Sequence, residues 1–301
     1  MTQNIINLKT VIQESESNLT KLIETSENNY KNQVKQVVNE IVKNDKYKIV
    51  LLPGPSSSGK TTTSNFIREY LAEYGYESLV ISLDDFFVNR DNTPRLANGD
   101  YDFENILALD LPYLNEFVDD MFEKGSALMP TYNFVTGKRE EKLNKIEINE
   151  NTIIIFEGIH ALNPNLITKH RSSMLKVYIC ASSDFVYDGK LEIKATNVRL
   201  MRRLSRDSRK RGITFKETFK MWKNVLDGEV LYIDPYKNSA DIKIVSTIAY
   251  EPLLFANFLL PKLKENNFCN LTQDLIDSLD LCKGLPLSTI PKDSLLNEFL
   301  N

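Results

Sequence analysis

The sequence predicts an α/β fold in which a parallel sheet is flanked by helices. Three observations predict it. Short apolar runs alternate along the chain with segments of helical periodicity. Those runs are near-continuous in Val, Ile and Leu, as strands buried on both faces are. One of them passes straight into a Gly- and Ser-rich loop that opens a helix.

The elements follow in order. Residues 1–45 are polar, but Leu19, Leu22 and Ile23, then Val34, Val37, Val38, Ile41 and Val42, recur at helical spacing. They predict an N-terminal helical segment of two helices. Tyr47–Leu52 is a buried strand and Thr61–Tyr74 a helix closed by Gly75. Ser78–Leu83 is a second strand. The stretch 90–101, with Pro94 and Asn98-Gly99, is a turn-rich loop. Glu104–Lys124 is expected to be a helix ended by Gly125, and 129–150 a hairpin region around Thr136-Gly137. Ile153–Phe156 and Leu175–Cys180 are strands. Thr196–Arg211 is a basic helix ended by Gly212, followed by a helix at 214–226, a strand at Ile242–Val245 and a helix from Pro252. The last thirty residues hold one more helix and a Pro-rich tail. The expected domains are the N-terminal segment, a catalytic domain at 46–265, and a C-terminal helical tail at 266–301.

Bulk properties exclude several classes. The formal charge of −4 provides no basic field for nucleic acid. No apolar run approaches the ~20 residues that span a bilayer. Cys180, Cys269 and Cys282 are odd in number and far apart, and with His160 and His170 they form neither a disulfide framework nor a zinc spacing. The N-terminus carries no signal pattern, so the expected compartment is the reducing cytoplasm.

Residues 54–61, GPSSSGKT, match the phosphate-binding pattern G-x-x-x-x-G-K-[ST]. Gly54 and Gly59 let the backbone wrap a phosphate. The N–H groups of Ser56, Ser57, Ser58 and the helix start at Lys60, Thr61 and Thr62 point at the anion. Lys60 is placed to reach the β- and γ-phosphates of ATP, and the Thr61 hydroxyl to hold Mg²⁺. Asp84 follows the second apolar run, where it can hold the metal or take a proton from an attacking hydroxyl. Glu157 closes the run Ile153–Phe156 and is a second candidate ligand for Mg²⁺. In residues 199–211, seven of thirteen are basic. At about 100° per residue, Arg199, Arg203, Arg206 and Lys210 share one face, opposite Leu200, Met201 and Leu204. Such a stripe needs an anion to compensate it. The triphosphate is the expected one, with this helix as a lid, and nucleic acid or an acidic partner is the alternative.

GPSSSGKTT at 54–62, ISLDDFF at 81–87, YDF at 101–103, PTYNFVTGKR at 130–139, FEGIHAL at 156–162, RLMRRLSRDSRKRG at 199–212 and SAD at 239–241 together resemble the uridine kinase and phosphoribulokinase superfamily over about residues 47–260. The likeness is greatest to bacterial uridine kinase-like proteins, whose kinase part has flanks similar to 1–45 and 270–301 and a similarly long stretch at Ser182–Asn197. The resemblance implies a kinase-type P-loop NTPase fold with a small β-hairpin acceptor subdomain and a helical lid. It also implies transfer of the ATP γ-phosphate to a nucleoside 5′-hydroxyl. Thr61, Asp84 and Glu157 would gather around Mg²⁺, with Asp84 also the base. Phe103, Tyr132 and Arg203 would line the acceptor pocket, and Arg206 and Arg211 would act on the phosphates. Several positions depart from the pattern. Phe87 stands where Tyr is common, and Gly137 where uridine–cytidine kinases place a pyrimidine-contacting His. Ile213 and Met221 stand in place of Arg and Gln, and Glu104 in place of an Asp that holds ribose hydroxyls. These departures leave the acceptor open: a nucleoside with altered base preference, another small alcohol such as a phosphosugar or pantothenate, or, on a non-enzymatic reading, ATP as a switch. A homo-oligomer is compatible with the sequence.

Overall fold

The computed structural model describes residues 4–265 and 270–301. Cys269 and the first residues of the expected C-terminal segment lie outside the described residues. The central sheet has five strands: β2 (Ile49–Leu52), β3 (Glu77–Ser82), β8 (Thr152–Glu157), β9 (Met174–Cys180) and β12 (Ile242–Val245). Their order is β12-β9-β2-β8-β3, and every pairing is parallel. The parallel sheet flanked by helices is therefore as the sequence predicts. Side-chain alternation sorts the core between its two faces. Val50, Leu52, Ile153 and Ile155 enter one cluster, and Ile49, Leu51, Ile154 and Phe156 the other.

On the first face lie α2 (Leu19–Lys43), α3 (Lys60–Ala72), α5 (Ala195–Arg206), α6 (Phe215–Tyr232), α7 (Glu251–Phe258), α8 (Leu260–Glu265) and α9 (Asn270–Asp280). The preceding helix, α1 (Leu8–Ser17), packs there too. Both terminal segments share this core. Tyr30 of α2 hydrogen-bonds Thr63 of α3 at 2.6 Å, and Glu27 accepts from Tyr250 at 2.7 Å and from Ser294 at 2.6 Å. The second face is covered by α4 (Leu111–Lys124) and two small hairpins. One pairs β4 (Ser126–Met129) with β7 (Asn144–Glu147), the other β5 (Tyr132–Asn133) with β6 (Lys138–Arg139).

Two elements differ from expectation. The helix expected from Glu104 begins at Leu111. Asp110 caps it by accepting from Tyr113 N–H, Pro112 occupies the first turn, and residues 104–110 are turn and short 3₁₀ structure. The long stretch after β9 forms β10 (Asp184–Tyr187) and β11 (Lys190–Ile193), and the N-terminal β1 (Ile5–Asn7) pairs with β10. A three-residue strand in a polar terminus carries too little pattern to be read from sequence.

Candidate active site

The strand order reverses direction around β2, so a crevice opens beyond the carboxyl ends of β2, β8 and β3. Register fixes what stands there. Glu157 is the partner of Leu52 on one side and Ser82 on the other, and Asp84 lies two residues past Ser82. The loop after β2, Asp84 and Glu157 therefore meet at one sheet edge.

The loop is tightly held. A Cβ on Gly54 would sit 2.3 Å from the Ile179 carbonyl oxygen, so only glycine fits. Ser57 and Gly59 adopt positive φ, which turns successive N–H groups inward. The Ser57 and Ser58 hydroxyls are buried without a hydrogen-bond partner. Orphaned donors beside a helix start, in a cradle that side chains would fill, fit a phosphate chain. Lys60 Nζ donates to the carbonyls of Gly54 at 2.9 Å and Pro55 at 3.3 Å. Thr61, at the start of α3, is exposed, whereas Thr62 donates to Glu298.

The electrostatics are those of a carboxylate pair beside a lysine. Asp84 is reached by solvent but crowded by protein, and desolvation raises its carboxyl above the usual range against the pull of Lys60. Glu157 is buried and desolvation pushes it up to about 6, with Lys60 opposing and Asp84 adding to the rise. Such a pair takes up a divalent cation readily, since the ion removes the mutual repulsion. Among the described residues no three His, Cys, Asp or Glu side chains form a metal cage. Two carboxylates and the Thr61 hydroxyl fit Mg²⁺, which keeps phosphate and water ligands.

The basic helix is partly compensated from within the protein, which corrects the expectation that its whole stripe is left for an external anion. Arg199 pairs with Glu229 at 2.6 Å and Arg203 with Asp207 at 3.2 Å. Arg202 is fully buried and grips Glu251 through two bonds, at 2.7 and 3.0 Å. The same arginine donates to the Ser57 carbonyl at 3.3 Å, and Ser246 donates to the Ser58 carbonyl at 2.6 Å, so this buried network braces the phosphate loop. Arg203 Nη1 donates to Ser56 Oγ at 2.9 Å. Arg206 is largely buried, which pulls its guanidinium down to about 10, with neighbouring Arg211 acting the same way. Regular α-helix ends at Arg206, and 207–211 continue as a π-helical turn carrying the half-exposed Arg211, which pairs with Asp207 at 3.4 Å.

A cavity of about 530 Å³ adjoins the crevice, lined by Phe103, Glu104, Arg203, Met221, Gly228 and Tyr232 among others. It gathers three of the four expected acceptor residues. The fourth, Tyr132, lies in a neighbouring aromatic cluster, its ring 5.5 Å from Phe87, which in turn meets Phe103 at 6.1 Å. Burial raises Glu104 to about 7, with Arg203 and Lys60 opposing. Gly228 explains how its longer side chain is housed, because a Cβ there would lie 2.9 Å from Glu104 Cγ. At Gly137 the space is filled by Arg90, whose guanidinium carbon would lie 2.6 Å from a Cβ and which donates to the Phe134 carbonyl at 2.6 Å. Sequence reasoning missed Arg202, Glu251 and Glu298. For Glu298 the available signal was the apolar set Leu295, Leu296, Phe299 and Leu300 around one acid.

Residues 49–249 match the model of the phosphoribulokinase / uridine kinase family. The chain belongs to that family. A uridine kinase of Borrelia duttonii is 30% identical over 206 residues, covering 65% of this chain and 85% of that protein. One from Ureaplasma urealyticum is 27% identical over 202 residues, covering 65% and 87%. A possible uridine kinase from Bacillus stearothermophilus has a solved structure matching 71% of this chain and 97% of its own, with a TM-score of 0.49 at 17% identity. Membership in this family supports a P-loop kinase, a phosphotransferase acting on a small alcohol. Among the described residues no helix is long and apolar enough to cross a membrane.

Proposed function

We propose that this protein transfers the γ-phosphoryl group of ATP to the 5′-hydroxyl of a nucleoside. The observation that carries this reading is the meeting, at one sheet edge, of the phosphate loop, Asp84 and Glu157 with a cavity that holds Glu104 and Arg203. The loop amides and Lys60 bind the phosphates. Thr61, Asp84 and Glu157 would hold Mg²⁺, which would neutralise charge on the phosphate oxygens. Asp84 takes the proton of the acceptor hydroxyl as that oxygen bonds to the γ-phosphorus and the bond to the β-phosphate oxygen breaks. Arg206 and Arg211 balance the charge of the transferring group. Glu104 accepts hydrogen bonds from ribose hydroxyls when ionised, and Phe103, with Phe87 packed against it, offers an aromatic wall to the base.

Base preference differs from that of a uridine–cytidine kinase on this reading. Met221 is an apolar lining residue, and the space beside Gly137 belongs to Arg90. A pocket whose polar contacts at a base edge are replaced or moved discriminates differently between bases. The test is kcat/KM for uridine, cytidine, thymidine and purine nucleosides side by side. Turnover of several is expected. Strong selectivity for uridine and cytidine would refute altered preference, and turnover only of a phosphosugar or pantothenate would refute the nucleoside reading.

A further inference from the structure

The last turn of the chain reaches the phosphate loop. Leu295, Leu296, Phe299 and Leu300 are buried, and Phe299 lies under the Arg202 guanidinium at 4.9 Å. Leu295 packs on Gly59 so closely that a Cβ there would meet its Cδ1 at 2.4 Å. This seating delivers Glu298 to the start of α3. Its Oε2 accepts from Thr62 N–H at 3.2 Å and from Thr62 Oγ1 at 2.8 Å, and its Oε1 lies 3.8 Å from Arg206 Nη1. Lys210 donates to the carbonyls of Asn297 at 3.2 Å and Glu298 at 3.0 Å.

We propose that Glu298 sets nucleotide affinity, as an internal anion that competes with a nucleotide phosphate for the first turn of α3. This rests on the reading of Gly54–Thr62 as a nucleotide site. The first N–H groups of a helix have no intrahelical acceptor, and together with the dipole they are what a phosphate binds. At Thr62 those donors already hold a carboxylate. A phosphate oxygen cannot share the N–H and hydroxyl with it, and two anions at that spacing repel. The phosphate that reaches Thr62 therefore displaces Glu298, and takes the hydroxyl and Arg206 with it. The grip of Lys210 on the same turn of chain ties the exposed end of the basic segment to the displaced tail. Nucleotide entry thus loosens Leu295–Asn301 and frees Lys210 together.

Calorimetric titration of the full chain with ADP and Mg²⁺ tests this, using wild type, Glu298→Ala and Glu298→Gln. Loss of a charge-assisted competitor predicts about tenfold tighter ADP binding for Glu298→Ala, with a smaller gain for Glu298→Gln. Hydrogen exchange at 295–301 in wild type should accelerate on ADP addition. Unchanged or weaker binding by both variants, or slower exchange with ADP, overturns the proposal while leaving the nucleotide site standing. No ADP binding by any of the three proteins overturns the nucleotide site itself, and the proposal with it. Should Glu298→Ala not fold, Glu298→Gln and the wild-type exchange decide.

Discussion

Replacing Arg202 by methionine is predicted to destabilise the protein by about 3–5 kcal/mol, the usual effect of stripping one partner from a buried ion pair. Both side chains of the Arg202–Glu251 pair are fully buried. The change removes both bonds to Glu251 and those to the Ser57 carbonyl, the Ser246 carbonyl and the Ser246 hydroxyl. Glu251 keeps the Ile248 N–H at 2.9 Å, which cannot compensate a buried charge. The double variant Arg202→Met, Glu251→Met deletes both charges and should recover part of the loss, leaving the Ile248 N–H and the Ser57 and Ser246 carbonyls without these partners, at about 1–3 kcal/mol for each buried group that finds no other. Urea unfolding at neutral pH reads both. A pH series adds a signature. Burial already raises the Glu251 carboxyl, and Arg202 is the main force holding it down. With a folded value above the unfolded one, stability is lost as pH rises through the folded value, so the single variant's deficit should shrink on acidification. A single variant within 1 kcal/mol of wild type, estimated as about the value of an ordinary hydrogen bond, would refute the reasoning. So would a double variant less stable than the single one.

Two further predictions concern the site. Lys60→Ala should weaken ATP binding and turnover together, since the proposed role of Lys60 is to hold the phosphates throughout; normal ATP affinity in that variant would contradict that role. Glu104 is raised to about 7, mainly by burial. Acceptor kcat/KM should therefore climb through about pH 7 as the carboxylate forms, and Glu104→Gln should flatten the climb. Because the folded value exceeds the unfolded one, Glu104 favours folding at low pH and loses that contribution as pH rises toward 7. An unaltered pH profile in Glu104→Gln would remove Glu104 from acceptor binding.

Local pattern carried most of the fold into the sequence. Ile49–Leu52 and Ile153–Phe156 are apolar because both sheet faces are covered, so their runs read directly as strands. Gly54 to Thr61 is legible because each residue type answers a backbone or phosphate requirement within eight positions. Asp84 and Glu157 were readable because parallel strands end on one side. Long-range partners were not readable. Arg202 and Glu251 are 49 positions apart, and Thr62 and Glu298 are 236 apart. Nothing local marks a carboxylate that pairs at such a distance, which is why the basic helix reads as uncompensated in sequence and is partly neutralised in the fold. The helix start at Leu111 shows a smaller version of the same limit. Pro112 and Asp110 carried the signal, but the periodicity around them extended back to Glu104.

The central claim, phosphoryl transfer with Asp84 as the base, is tested most directly with ATP labelled at the γ-phosphorus. Wild type and Asp84→Asn are incubated with Mg²⁺ and a nucleoside, and the label is followed by phosphorus NMR. The account predicts that wild type moves the label to the nucleoside 5′-oxygen. Asp84→Asn should still bind ATP but transfer about 10²–10⁴-fold more slowly, the usual effect of losing a general base. Label appearing only as inorganic phosphate, or transfer at the wild-type rate by Asp84→Asn, would contradict it.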